Sequence, residues 1–318
     1  MVNRHSQQGV AIVAVMLIVM LATAIVSSLY YRETIAIRSI ENRLTLQQTR
    51  WVERAVLDWS RVILRADAQN PQTAAVDHLQ EVWAVPVADT VLDETVTAGA
   101  SIKSNGDGGA RNSARLSGGM EDAQAKLNLN NLVNDKGAQS PEHYKAFEKL
   151  LQLTGQPLVL AQNLLARQLT SMPITQNNET TAATTPALLT VDDLKTVKGF
   201  NADVIRTLDP FVIFLPRLTT VNINTAPAET LAAVIPDLDL ASARRFVSNR
   251  ERTFYRDLAA AGTAMGNSTT LPTTMLDVKT AHFLVKGILK FDRVEASTET
   301  LLYRLSARQV DVVWQRRL

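Results

Sequence analysis

The chain has 318 residues, a net charge of +2 and 20% charged residues, enough for more than one core and too evenly balanced for a protein devoted to nucleic acid. It has no cysteine, which excludes disulfide frameworks, thiolate metal sites and thiol catalysis. Its histidines, His5, His78, His143 and His282, show no metal-ligand spacing, and no GxSxG, HExxH, P-loop or dinucleotide fingerprint occurs, so no catalytic residue is assigned. The first element is the uncharged run Val10–Tyr31. As a helix it spans about 33 Å, enough for a hydrocarbon core of about 30 Å. Tyr30 and Tyr31 stand where interfacial aromatics belong. A secretory signal has a shorter apolar core of about 7–15 residues, so the run reads as a transmembrane helix. Arg4 precedes it, and Arg32, Arg38, Arg43, Arg50 and Arg54 follow. By count alone this would place the C-terminal side in the cytoplasm.

The leader MVNRHSQQG is polar and ends in Gly9 directly against the apolar run. It resembles the class III signal of type IV pilins and type II secretion pseudopilins. The resemblance implies that prepilin peptidase cuts between Gly9 and Val10 on the cytoplasmic face. Glycine lets the scissile backbone approach the catalytic carboxylates closely. The resemblance also implies methylation of the new N-terminus and a single-pass inner-membrane protein with its C-terminal domain in the periplasm, against the charge count. Most pilins carry Glu at the fifth mature position, where it pairs with a neighbouring subunit's N-terminal amine. Here that position is Ala14. The K-type minor pseudopilin lacks this Glu and is placed at the pseudopilus tip, so Ala14 marks a tip position by resemblance.

From Arg32 to Arg65 there is no Pro or Gly, and Ile37, Ile40, Leu44, Trp51, Ala55, Trp59, Val62 and Ile63 recur at helical spacing. The stripe predicts one continuous helix to about Ala66, and the resemblance to pilins implies that its first half packs against other subunits and its second half on its own sheet. Glu81–Val87, Thr95–Ser104 and Ala123–Leu129 read as extended segments, and Ser104–Gly119 as a turn-rich loop. Asn105-Gly106-Asp107 starts that loop as a calcium loop would, but Leu116 stands where the bidentate Glu is required. Glu121–Val133, EDAQAKLNLNNLV, resembles a motif of the K-type pseudopilins (general secretion pathway protein K), with Asp122, Lys126, Asn128 and Asn130 at matching positions. Read from its residues it is a strand-to-helix junction that launches an inserted domain.

Pro141–Thr154, stopped by Gly155, then Leu158–Leu169, a helix opening at Thr190, Ala226–Ile235 and Leu240–Arg252 read as helices. His282–Phe291, Thr300–Ala307 and Gln309–Gln315 read as strands. The chain is identified as a member of the type II secretion minor pseudopilin K family. The fold class expected is α+β: a pilin-like fold, its long N-terminal helix packed on an antiparallel sheet, with a large all-α insertion. The divisions are 1–9 leader, 10–31 transmembrane helix, 32–130 amphipathic helix and first part of the pilin-like domain, 131–281 inserted helical domain, and 282–318 closing strands. The resemblance implies a non-enzymatic subunit at the pseudopilus tip. Its partners would be other minor pseudopilins, the inner-membrane secretion platform and prepilin peptidase, with no nucleic acid. No cofactor is required; calcium fits the family, with no metal ligand assignable. The alternative is a type IV pilus-like component that binds DNA through Val221–Leu258, which resembles a helix-hairpin-helix module. Against it, Asp237 and Asp239 occupy the hairpin glycine positions, and Arg217 to Ala260 holds six arginines against five acidic residues.

Overall fold

A helix, α1 (Gln8–Gln69), runs unbroken for 62 residues, about 93 Å if straight. The structure is a computed structural model and describes residues 8–71, 74–92, 114–134, 137–172, 174–176, 179–266, 271–291 and 294–318. Most of the leader, the Thr95–Ser104 segment and the Asn105-Gly106-Asp107 turn lie outside the described residues. α1 is the one helix among the described residues long and apolar enough to cross a membrane, and its residues 11–31 are all exposed.

The C-terminal part of α1 lies across an antiparallel five-stranded sheet. Its strands are β1 (Val87–Leu92), β2 (Ala114–Asp122), β9 (His282–Phe291), β10 (Val294–Arg304) and β11 (Val310–Arg317), in the order β1-β2-β9-β10-β11. Strand alternation sorts β9 and β10 side chains to two faces. Phe283, Val285 and Leu302 pack with Val310 and Trp83 against Val56, Ile63 and Leu64 of α1. Leu284 and Leu301 point the other way, onto Ala123, Ile213 and Leu215 of the insertion. Central strands β2 and β9 pair across the insertion, with Gly118 opposite Gly287. A Cβ at Gly118 would lie 2.2 Å from the Lys286 carbonyl oxygen, so the close approach there requires glycine.

The chain leaves the sheet after Asp122 and re-enters it at His282. Between them are α2 (Pro141–Leu153), α3 (Val159–Leu169), α4 (Ala202–Leu208), α5 (Ala228–Val234), α6 (Leu240–Arg250) and α7 (Leu258–Met265). They enclose a core that includes Leu129, Phe147, Leu150, Leu164, Ile223 and Leu231. Gly155 ends α2 with φ +69°. At Thr190, Asp193 completes a capping box, but the turn it opens is a 3₁₀ helix, Val191–Thr196. The insertion is not all-α. It also holds three two-stranded pairs: β3 (Leu127–Asn128) with β6 (Val212–Ile213), β4 (Ile174–Gln176) with β5 (Glu179–Thr181), and β7 (Val221–Asn222) with β8 (Leu276–Asp277).

Four local expectations are corrected. Residues 114–119, read as the end of a turn-rich loop, belong to strand β2 and pair with β9. Residues Val82–Ala84 form a 3₁₀ turn, because the Glu81 carboxylate accepts both the His78 N–H and the Trp83 indole N–H. That folds the segment back so that Trp83 packs edge-on against Phe283, ring centroids 5.2 Å apart. Residues Ala123–Leu129 are also mostly turns. Asp122 and Asn128 each accept the N–H two residues on, at 2.7 and 3.1 Å, and each starts a 3₁₀ turn. Finally, most of the apolar stripe of α1 does not face the sheet. Trp51 is 69% exposed and Trp59 53%, and Ile37, Ile40, Leu44 and Val62 are exposed with them. The sheet-facing side is Thr49, Val56, Ser60, Ile63 and Leu64, of which only Ile63 belongs to the stripe. The Ser60 hydroxyl donates to the Val56 carbonyl at 2.8 Å, so a small polar residue is buried there without an unpaired donor.

Candidate functional site

The sequence-singled residues fall into two groups at opposite ends of the molecule. Asp122, Lys126, Asn128 and Asn130 come together where sheet and insertion meet. Asn128 is buried; its Oδ1 accepts the backbone N–H of Leu215 at 3.0 Å, and its Nδ2 lies 2.8 Å from the Arg217 carbonyl. Asn130 donates to the Leu215 carbonyl at 2.9 Å. Asn131 brackets Thr219, donating to its carbonyl at 2.6 Å and accepting its N–H at 3.2 Å. Three neighbouring amides thus clamp the Leu215–Thr219 backbone, which sequence would leave as loop. Lys126 donates to the Asp209 carbonyl at 2.7 Å, and burial holds its ammonium pKa below the usual range.

Asp122, at the end of β2, is the second anchor. It accepts Asn222 Nδ2 at 2.8 Å and the Thr225 hydroxyl at 2.6 Å. Burial raises its pKa against those donors. Gln124 extends the junction, accepting the Ala281 N–H at 2.8 Å and meeting His282 Nδ1 at 3.1 Å. Burial, with the Arg217 charge, holds His282 down at about 4, so its ring is neutral. Asn131, Asn222 and Thr225 were missed by sequence reasoning. A usable signal existed: LNLNN and VNINT both place asparagines at alternate positions inside apolar runs.

A third cluster ties the end of α1 to the sheet. Ligand-type atoms of Asp67, Asp77 and Glu81 lie within 4.8 Å of one another, the spacing a cation would need. Arg304 donates to Asp67 Oδ2 at 2.8 Å and also pairs with Asp77. The single guanidinium offsets at most one of the three carboxylate charges. Arg304, Asp67 and Asp77 form an ion-pair network, and Glu81 Oε1 beside it has no hydrogen-bond partner among the described residues. Burial pushes Asp77 up to about 6 and Glu81 to about 8.

The hairpin of the DNA-binding alternative joins α5 to α6. Its carbonyls point inward: Lys149 Nζ donates to Ile235, Pro236 and Leu238 oxygens at 2.9, 2.8 and 3.1 Å. The N-terminus of α6, where a phosphate would sit, is capped by Asp239, which accepts the Ser242 N–H at 2.9 Å.

At the other end, Gly9 and Val10 lie in the first turn of α1, and Ala14 is on its exposed apolar portion. None of the three meets the junction. They share with Ile40, Leu44 and Trp51 one long helix whose outward side has no cover among the described residues.

Comparison with known proteins agrees with this architecture. Two family models described as Type II secretion system (T2SS), protein K match residues 125–217 and 221–279, the two halves of the insertion. The type II secretion system protein K of Pseudomonas aeruginosa is 31% identical over 291 residues, covering 83% of this chain and 80% of that protein. The Pectobacterium carotovorum protein of the same name is 25% identical over 339 residues, covering 98% and 96%. A chain of the crystal structure of the GspK–GspI–GspJ complex from the enterotoxigenic Escherichia coli type 2 secretion system shares the fold. Its TM-score is 0.63 at 16% identity, over 87% of this chain and 98% of that one. The chain therefore belongs to the type II secretion system protein K family.

Proposed function

We propose that this chain is a minor pseudopilin that initiates or caps the pseudopilus from its tip, as a non-enzymatic structural subunit of protein export across the outer membrane. The observation that carries this reading is α1: one helix that begins as a membrane span and continues with an apolar side its own sheet leaves uncovered. Such a side is filled by other helices in a filament. Helix and sheet together make the pilin-like domain, and the inserted domain covers the opposite sheet face. Ala14 removes the carboxylate that would engage a subunit above, and a bulky insertion obstructs stacking there. The related fold was solved as a complex of three proteins, GspK, GspI and GspJ, which supports other minor pseudopilins as partners. The domain beyond Tyr31 is periplasmic in this reading, and the membrane portion meets the inner-membrane secretion platform. Mass spectrometry of the protein extracted from membranes with active prepilin peptidase tests the reading. The expected mature chain starts at a methylated Val10; an intact Met1–Gly9 leader would contradict it.

A further inference from the structure

The uncovered side of α1 has a charged border. Arg43, Arg50, Arg54 and Arg61 are spaced by seven, four and seven residues. At about 100° per residue they fall within about 40° of one another on the helix. The exposed seam of Ile40, Leu44, Trp51 and Val62 lies about 80° to one side of that band. The sheet-facing residues Thr49, Val56, Ser60 and Leu64 lie about 110° to the other side. The arginines therefore form a band between the buried side and the apolar seam. Arg50, Arg54 and Arg61 border an open cleft of about 1020 Å³ between α1 and the edge strand β11, whose far wall includes Val312 and Gln315.

The acidic residues of this cleft are already engaged. Asp58 pairs with Arg61 at 3.1 Å and Glu53 with Arg317 at 2.8 Å. Among the described residues Arg50 and Arg54 have no ion pair, and Arg54 lies 5.9 Å from the ring centroid of Trp51. An apolar seam bordered by unpaired cations is the pattern by which paired helices select a partner of opposite border charge. Lipid headgroups do not account for the band. On a straight helix Arg50 stands about 29 Å beyond Tyr31, whereas the headgroup layer adds only about 5–7 Å on each side of the hydrocarbon.

We infer that the Arg50–Arg54 band selects an acidic-bordered helix of a neighbouring minor pseudopilin, which seats its apolar side on Trp51 and its carboxylates on the two arginines. This rests on the pseudopilin reading above and adds the charge chemistry of the partner. The full-length chain is co-expressed with the other minor pseudopilins, extracted from membranes and purified at about 0.1 and about 1 M salt. The double variant Arg50→Glu, Arg54→Glu is expected to retain roughly tenfold less partner at low salt and to lose the salt response of the parent. Arginine in place of acidic residues on the partner helix restores retention. Both sites are exposed, so the melting temperature stays at the parent value and separates lost contact from lost fold. Unchanged retention with an unchanged salt response overturns the inference. So does arginine-dependent capture of the parent chain by anionic vesicles without any partner, which would make the band a lipid site. A parent chain that retains no minor pseudopilin would instead bring down the pseudopilin reading itself.

Discussion

Glu81 shows how burial, not sequence type, sets the chemistry of a residue in this fold. Its carboxyl is enclosed by the His78–Trp83 turn, and Oε1 has no hydrogen-bond partner among the described residues. Burial raises its pKa from 4.5 to about 8 despite the indole and backbone donors on Oε2. The folded chain therefore keeps a proton that the unfolded chain releases at ordinary carboxylate pH. The stabilisation is complete in acid and is lost as pH rises through about 8. Asp77, held near 6, adds to the same trend. His282 acts in the opposite sense: neutral in the fold down to about 4, it favours unfolding once pH falls below the ordinary histidine value of 6.5. Glu81→Gln, a neutral mimic, should flatten the alkaline limb of stability. Thermal unfolding in detergent should give the variant a higher melting temperature than the parent near pH 8, and an equal one near pH 5. A lower value near pH 8 would show that the ionised carboxylate is what the site favours. The Asp122–Asn130 motif was legible as a junction, because Asx side chains cap turns at short range. Its partners at Leu215, Thr219 and Asn222 were not, because contacts across about 90–100 residues leave no local pattern.

At the scale of elements, α1 gives the sharpest contrast between periodicity and packing. The Ile37–Ile63 spacing correctly identified a helix with one apolar side, and the helix runs to Gln69 as a single element. Periodicity gives a side but not what covers it. The side that meets the sheet carries Thr49 and Ser60, whose small polar side chains sit close to strands and look like surface in a sequence. Most of the sequence-visible stripe, Trp51 included, is turned outward, while Trp59 is half exposed and flanks the groove between α1 and the sheet. The two sides should respond differently to truncation. Leu64→Ala, at a fully buried position, should cost about 2–5 kcal/mol of stability. Trp51→Ala should change stability by only about 0.5 kcal/mol while reducing retention of partner pseudopilins. An equal melting loss for Trp51→Ala and Leu64→Ala would place Trp51 in the chain's own core. The closing strands and the larger helices were readable from β-branched runs, caps and Gly155. The two-residue strands β3, β6, β7 and β8 were not, because such short pairs are made by the surrounding core and not by propensity.

For the whole molecule, the sheet is the partition. One face meets α1 through Val56, Ile63 and Leu64, and the other meets the insertion through Ile213 and Leu215. Assembly through α1 is therefore compatible with an insertion held to the sheet by Asp122 and the asparagine clamp, while the Arg304 network ties the end of α1 to the sheet. The central claim, a subunit with neighbours on one side only, is tested most directly by paired cysteines in membranes containing all the pseudopilins. One cysteine replaces Ala14 or Val10 of this chain, and the other stands at the first or fifth mature position of each partner. The account predicts a disulfide between Val10→Cys and the fifth position of another subunit, and none between Ala14→Cys and any partner's first position. A disulfide from Ala14→Cys to the N-terminal residue of another pseudopilin would place a subunit above this one and contradict the tip assignment.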